Sequence, residues 1–115
     1  MNRAILEEIA AERERQDQKW GVQDHPSFDV SLTTRPGGST AQRMTENYEI
    51  PSEHRAKFLC DTAFKNGEGT FAHILVEEVS EAVSARNKRT LRLELIQVAA
   101  VAAAWVEALD RRDHQ

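Results

Sequence analysis

Apolar positions along this chain recur every three or four residues and nowhere alternate strictly over a long stretch, so the pattern predicts helices and no sheet. Over residues 2–19, Ile5, Leu6, Ile9 and Ala10 fall at helical spacing, with no glycine or proline between them. The second half of that segment is nearly all polar, which predicts a narrow core contact there, and Gly21 is placed to end the helix. Residues 21–50 gather the loop signals: Pro26, Pro36, Gly37 and Gly38 stand among Ser, Thr, Asn and Asp. About thirty residues this poor in structure are unusual inside a compact domain, and such a stretch is often a lid, a binding loop or an insertion. Within it, 40–48 allows one short helix.

Ser52 is placed to cap a helix over 53–65 with Ala56, Phe58, Leu59 and Ala63 on one side, and Asn66-Gly67 to stop it. Thr70 is placed to cap the next helix, 71–86. Residues 87–89 make a tight connection, and Thr90 is placed to cap a last helix that ends near Asp110. The expected fold is all-α: a four-helix-bundle type with a long loop after the first helix, forming a single domain over 1–115 in which 27–70 is an insertion or lid.

Composition narrows the function classes. The net charge of −4 and the lack of a basic stripe argue against a dedicated nucleic-acid binder, though not against a nucleotide whose phosphates are met through metal ions. A single cysteine, Cys60, rules out an intrachain disulfide and suits a reducing compartment. The first ten residues lack the basic start and apolar run of a secretion signal. The longest apolar run, 98–106, is far short of a membrane span. The expectation is a soluble, cytoplasmic protein.

Two helices carry carboxylates where an apolar face should run. One reads Ile74-Leu75-Val76-Glu77-Glu78-Val79-Ser80-Glu81-Ala82-Val83, the other Leu91-Arg92-Leu93-Glu94-Leu95-Ile96-Gln97-Val98-Ala99. Residues three apart share a face. In an antiparallel hairpin turning between Asn87 and Lys88, positions equidistant from the turn come opposite each other, which sets Glu78 against Gln97 and Glu81 against Glu94. Successive positions are separated by ~4.5 Å of helix rise and the axes by ~8–10 Å, so these side chains can converge. Carboxylates crowded in a partly buried place must protonate or be neutralised by cations. An all-oxygen donor set favours Mg²⁺ or Mn²⁺ over zinc or copper. By contrast Glu7, Glu8, Glu12 and Glu14 read as a solvated face. Glu77 either joins the site or only flanks it, and Gln97 either meets the metal or bonds within the bundle.

This arrangement resembles a known family. Glu77-Glu78-x-x-Glu81, followed after a short turn by Glu94-x-x-Gln97, is similar to the EExxE…ExxD signature of the MazG-like all-α NTP pyrophosphohydrolases. Ala10-Ala11-Glu12-Arg13, Trp20 and His25-Pro26 resemble the opening of the dCTP pyrophosphatase branch, so the resemblance covers roughly 1–26 and 71–108. It implies Mg²⁺-dependent cleavage of a nucleoside triphosphate, or its deoxy counterpart, to the monophosphate and pyrophosphate. It also implies catalytic residues Glu77, Glu78, Glu81 and Glu94, metal ligands Glu78, Glu81, Glu94 and Gln97, and a homodimer or homotetramer. The family's last ligand is usually Asp, and the neutral amide of Gln97 brings less charge, so the alternative is a catalytically weakened nucleotide- or metal-binding bundle. A third possibility is a structural helical module whose glutamates form interchain salt bridges.

Ile9, Arg13, Gln16 and Trp20 share one face of the first helix. For substrate binding, the resemblance favours Trp20 stacking on a base, Gln16 reading its edge and His25 contacting base or sugar. The plain alternatives are a tryptophan that plugs the bundle end and a turn histidine before proline. His73, four residues before Glu77, reads as structural or as a support to the glutamates. Lys57, Lys65, Arg86, Lys88 and Arg89 read as solvated charges. Trp105 and its neighbouring alanines read as core and as a surface for self-association.

Overall fold

The structure is a computed structural model that describes residues 2–29 and 40–113. The part of the expected insertion that carries Pro36, Gly37 and Gly38 lies outside these residues. Every regular element among the described residues is a helix: α1 Arg3–Trp20, α2 Thr40–Asn47, α3 Glu53–Lys65, α4 Phe71–Val83 and α5 Lys88–Asp113. No described helix is long and apolar enough to cross a membrane. The chain divides into two compact units, Met1–Ser27 with Ala103–Gln115, and Phe28–Ala102.

Local chemistry accounts for the helix ends. The Asn2 side chain accepts from the Ala4 N–H, and the Gly21 N–H closes α1 on the Asp17 carbonyl. Ser52 Oγ accepts from Arg55 N–H, and Thr70 Oγ1 accepts from His73 N–H, as the sequence predicts. The Thr70 hydroxyl also meets His73 Nδ1 at 2.7 Å, which ties His73 to its own helix start. The last helix departs from expectation. Asn87 rather than Thr90 caps it, its side-chain oxygen accepting from the Thr90 N–H at 2.9 Å. Asparagine is the stronger cap, and α5 therefore begins at Lys88. The preceding helix stops at Val83, short of Arg86.

α2 and α3 end in the same motif. Beyond α3, Gly67 takes a φ of 73° while the Gly67 and Glu68 N–H groups bond the Phe64 and Ala63 carbonyls. Beyond α2, Glu49 takes a φ of 56°, and the Glu49 and Ile50 N–H groups bond the Glu46 and Thr45 carbonyls. A glutamate in this left-handed conformation carries a strain that Gly67 does not.

In the unit Phe28–Ala102, α4 is the central element, with α3 and α2 both packed on it. The face α3 turns inward differs from the expected one. Ala56 and Cys60 are buried and Ala63 is half-buried, whereas Phe58 is 55% exposed and Leu59 is also exposed. Small residues at i, i+4 and i+7 let the two backbones approach closely, which bulky Phe58 would prevent. Thr45 and Ser80 are fully buried, and each hydroxyl is satisfied within its own helix, Thr45 on the Gln42 carbonyl and Ser80 on the Val76 carbonyl. In the other unit, Ile5, Ala103 and Ala108 are buried, and the Asn2 N–H donates to Glu107 Oε1 at 2.8 Å.

Candidate metal centre

The inward stripe of α4 alternates apolar and acidic side chains. Leu75, Val79 and Ala82 are at least half-buried, and Glu78 and Glu81 lie among them. From the start of α5, Glu94 reaches the same place. One carboxylate oxygen from each of Glu78, Glu81 and Glu94 lies within 4.8 Å of the other two, and all three residues are half-buried. Glu81 and Glu94, expected to face each other, are thus brought together, and Glu78 joins them.

Electrostatics mark the cluster as unfinished. Burial, then the charge of Glu78, pushes the Glu81 carboxyl from the usual 4.5 up to about 7, with the neighbouring Glu94 adding to the rise. Glu78 is also raised, first by burial and then by the charges of Glu94 and Glu77. Oε2 of Glu78 is buried and has no hydrogen-bond partner. A buried carboxylate oxygen without a donor is costly, and a proton, a water or a cation could each satisfy it. Three half-buried carboxylates with no sulfur or imidazole form a hard donor set suited to Mg²⁺ or Mn²⁺.

Glu77, next to the cluster on α4, is engaged from α3. The buried Cys60 thiol lies beside its carboxylate, and burial, then this neighbour, raises the thiol to about 11. This contact was not legible in the sequence, because only the packing of α3 on α4 brings the two residues together. Lys57, one turn earlier on α3, pairs with Asp61 at 3.3 Å and also senses the charges of Glu77 and Glu81. Gln97 is exposed on α5.

The expected substrate residues belong to the unit Met1–Ser27 with Ala103–Gln115. Trp20 is 62% exposed, with Lys19 Nζ 4.8 Å above its ring. Trp20 and His25 line one pocket of about 460 Å³, together with Val22 and Gln23. Gln16 does not line it, and its side-chain oxygen accepts from Arg13 at 2.6 Å.

The fold and site thus define an all-α protein with a half-buried cluster of three glutamates. Comparison with known proteins matches this chain to no family model, no curated protein and no solved structure.

Proposed function

We propose that Glu78, Glu81 and Glu94 hold Mg²⁺, or Mn²⁺ in its place, and that the protein hydrolyses nucleoside triphosphates, ribo or deoxy, to the monophosphate and pyrophosphate. The observation that carries this reading is the convergence of three half-buried carboxylates around a buried, unpartnered Glu78 oxygen. The likeness of the Glu77-Glu78-x-x-Glu81 and Glu94-x-x-Gln97 segments to the MazG-like signature supplies the reaction class.

A bound divalent ion would offset the negative charge of the triphosphate and of the transferring group. The glutamates would hold that ion, and their orientation on two rigid helices fixes where it sits. Water attacks the α-phosphorus, the bond from that phosphorus to the bridging oxygen breaks, and pyrophosphate leaves with the bond's electron pair. Glu77 accepts the proton of the attacking water, and the Cys60 thiol holds its carboxylate in place. Within their own unit, Trp20 and His25 line one pocket, and stacking of a base on the Trp20 ring would contribute about 1–3 kcal/mol.

Gln97 favours a second reading, a nucleotide- or metal-binding bundle with little turnover, because its exposed amide adds no charge where the resembling family has Asp. Pyrophosphate release from a panel of NTPs and dNTPs with Mg²⁺ or Mn²⁺ separates the two. Release that disappears in Glu78→Ala supports the hydrolase. Stabilisation by metal and nucleotide without release, with turnover gained in Gln97→Asp, supports the binding protein. No release and no stabilisation by metal would sink both.

A further inference from the structure

Among the described residues, Thr45, Ser80 and Ser84 are the buried polar side chains. The hydroxyls of Thr45 and Ser80 end on carbonyls of their own helices. Ser84 differs. It caps the C-terminus of α4 and is only 8% exposed, yet its hydroxyl has no hydrogen-bond partner among the described residues. A buried hydroxyl left without a partner is costly, and such a group marks a place where something else binds. Ser84 lines a cavity of about 350 Å³ inside the unit Phe28–Ala102, together with Thr45 of α2 and with Ser52, Glu53 and His54 at the start of α3. That volume has room for roughly ten waters.

The start of α3 supplies the rest of the cavity's chemistry. The Ser52 hydroxyl oxygen accepts from the Arg55 N–H, and the Ser52 carbonyl accepts from the Ala56 N–H. The N–H groups of Glu53 and His54 come earlier in the helix and have no acceptor within it. With thirteen residues behind it, this helix end carries the partial positive charge that favours anions. The Ser52 hydroxyl still has its own proton to donate. Residues lining one cavity thus bring two hydroxyl donors, two backbone N–H donors and an imidazole.

We propose that this cavity binds a phosphate group, free or at the end of a small ester, seated on the start of α3 and held by the Ser84 hydroxyl. A phosphate offers several acceptor oxygens to such a set of donors. The one carboxylate that lines the cavity, Glu53, is exposed, and its charge opposes the anion, so it lowers the affinity. The site stands apart from the glutamate cluster, because none of Glu78, Glu81 and Glu94 lines the cavity. It therefore does not rest on the metal reading.

Titration of ¹⁵N-labelled protein with inorganic phosphate tests the proposal, with a chelator present so that no divalent ion can carry the anion. Saturable shifts are expected at the amides of Glu53, His54 and Ser84, and chloride at equal ionic strength should not produce them. Glycerol phosphate in a parallel titration separates the two sources: tighter binding than inorganic phosphate identifies an ester, and equal or weaker binding identifies free phosphate. Ser84→Ala is expected to weaken binding about tenfold, and Ser84→Val, which fills the space, to abolish it. Glu53→Gln is expected to tighten binding about threefold. Circular dichroism checks the helix content of each variant, and should the Ser84 variants unfold, the exposed position 53 still decides. Absence of saturable shifts in the wild type would overturn the proposal. So would shifts that chloride reproduces, or binding that neither Ser84→Ala weakens nor Glu53→Gln tightens.

Discussion

α1 and α4 both carry several glutamates one helical turn apart, and the two sets behave as different chemical species. On α1, Glu7, Glu8, Glu12 and Glu14 are exposed, and Glu12 accepts from the guanidinium of Arg15 at 2.8 Å. Such surface pairs contribute about 0–1 kcal/mol. On α4, Glu78 and Glu81 are half-buried beside Leu75, Val79 and Ala82, face Glu94 from α5, and have their carboxyl groups raised. Residue type and spacing are nearly the same. What differs is the face on which they stand, exposed on α1 and turned towards the packed interior on α4.

The largest expected contrast is catalytic. Glu78→Ala should lower pyrophosphate release at least about 100-fold, while Glu12→Ala leaves it unchanged. Equal losses in both variants would erase the distinction between the two helices.

Stability against pH gives the next contrast. A carboxyl raised in the folded state binds its proton more tightly there than in the unfolded chain. Its contribution is therefore fully present below the ordinary value of 4.5 and is lost as the pH rises to about 7. The metal-free protein should melt progressively lower across that window, and Glu81→Gln should flatten the fall by removing the charge. Mn²⁺ should restore the melting temperature at neutral pH, and Glu12→Gln should change none of this. Thermal unfolding at a series of pH values, with and without Mn²⁺, measures all of it.

A smaller effect is expected at Cys60. Cys60→Ala removes the thiol beside Glu77 and should cost about 1 kcal/mol with a partial loss of turnover, whereas Cys60→Ser keeps a polar group there and should keep more of the turnover. Denaturant titration and steady-state rates read the two separately. The raised thiol should also alkylate slowly at pH 8. The smallest change is Glu12→Ala, within about 0.5 kcal/mol in denaturant. A larger cost would mean that the α1 carboxylates are not simply solvated.

Much of this architecture is legible in the order of the residues. The caps at Ser52 and Thr70 and the stop at Gly21 depend on residues a few positions apart, and they appear where the sequence predicts. The cluster is legible because carboxylates interrupt an apolar stripe on two helices joined by a short turn, whereas the turn itself falls at 84–87, earlier than the expected 87–89. The inward face of α3 is not, because Phe58 and Leu59 are more apolar than Ala56 and Ala63. Only contact with α4 favours the small residues. The cap at Asn87 is easily misread because Thr90, three residues on, is also an acceptable cap. The expected role of Gln16 meets a local competitor, Arg13, one turn away on the same helix.

The central claim is that Glu78, Glu81 and Glu94 together hold a divalent cation, and calorimetric titration with Mn²⁺ at pH 7 tests it most directly. The account predicts saturable binding with proton release, seen as a dependence of the heat on the buffer's ionisation enthalpy, because metal displaces the proton held near Glu81. It also predicts that Glu78→Gln/Glu81→Gln abolishes binding while Glu7→Gln/Glu12→Gln does not. No saturable binding by the wild type, or equal binding by all three proteins, would contradict it.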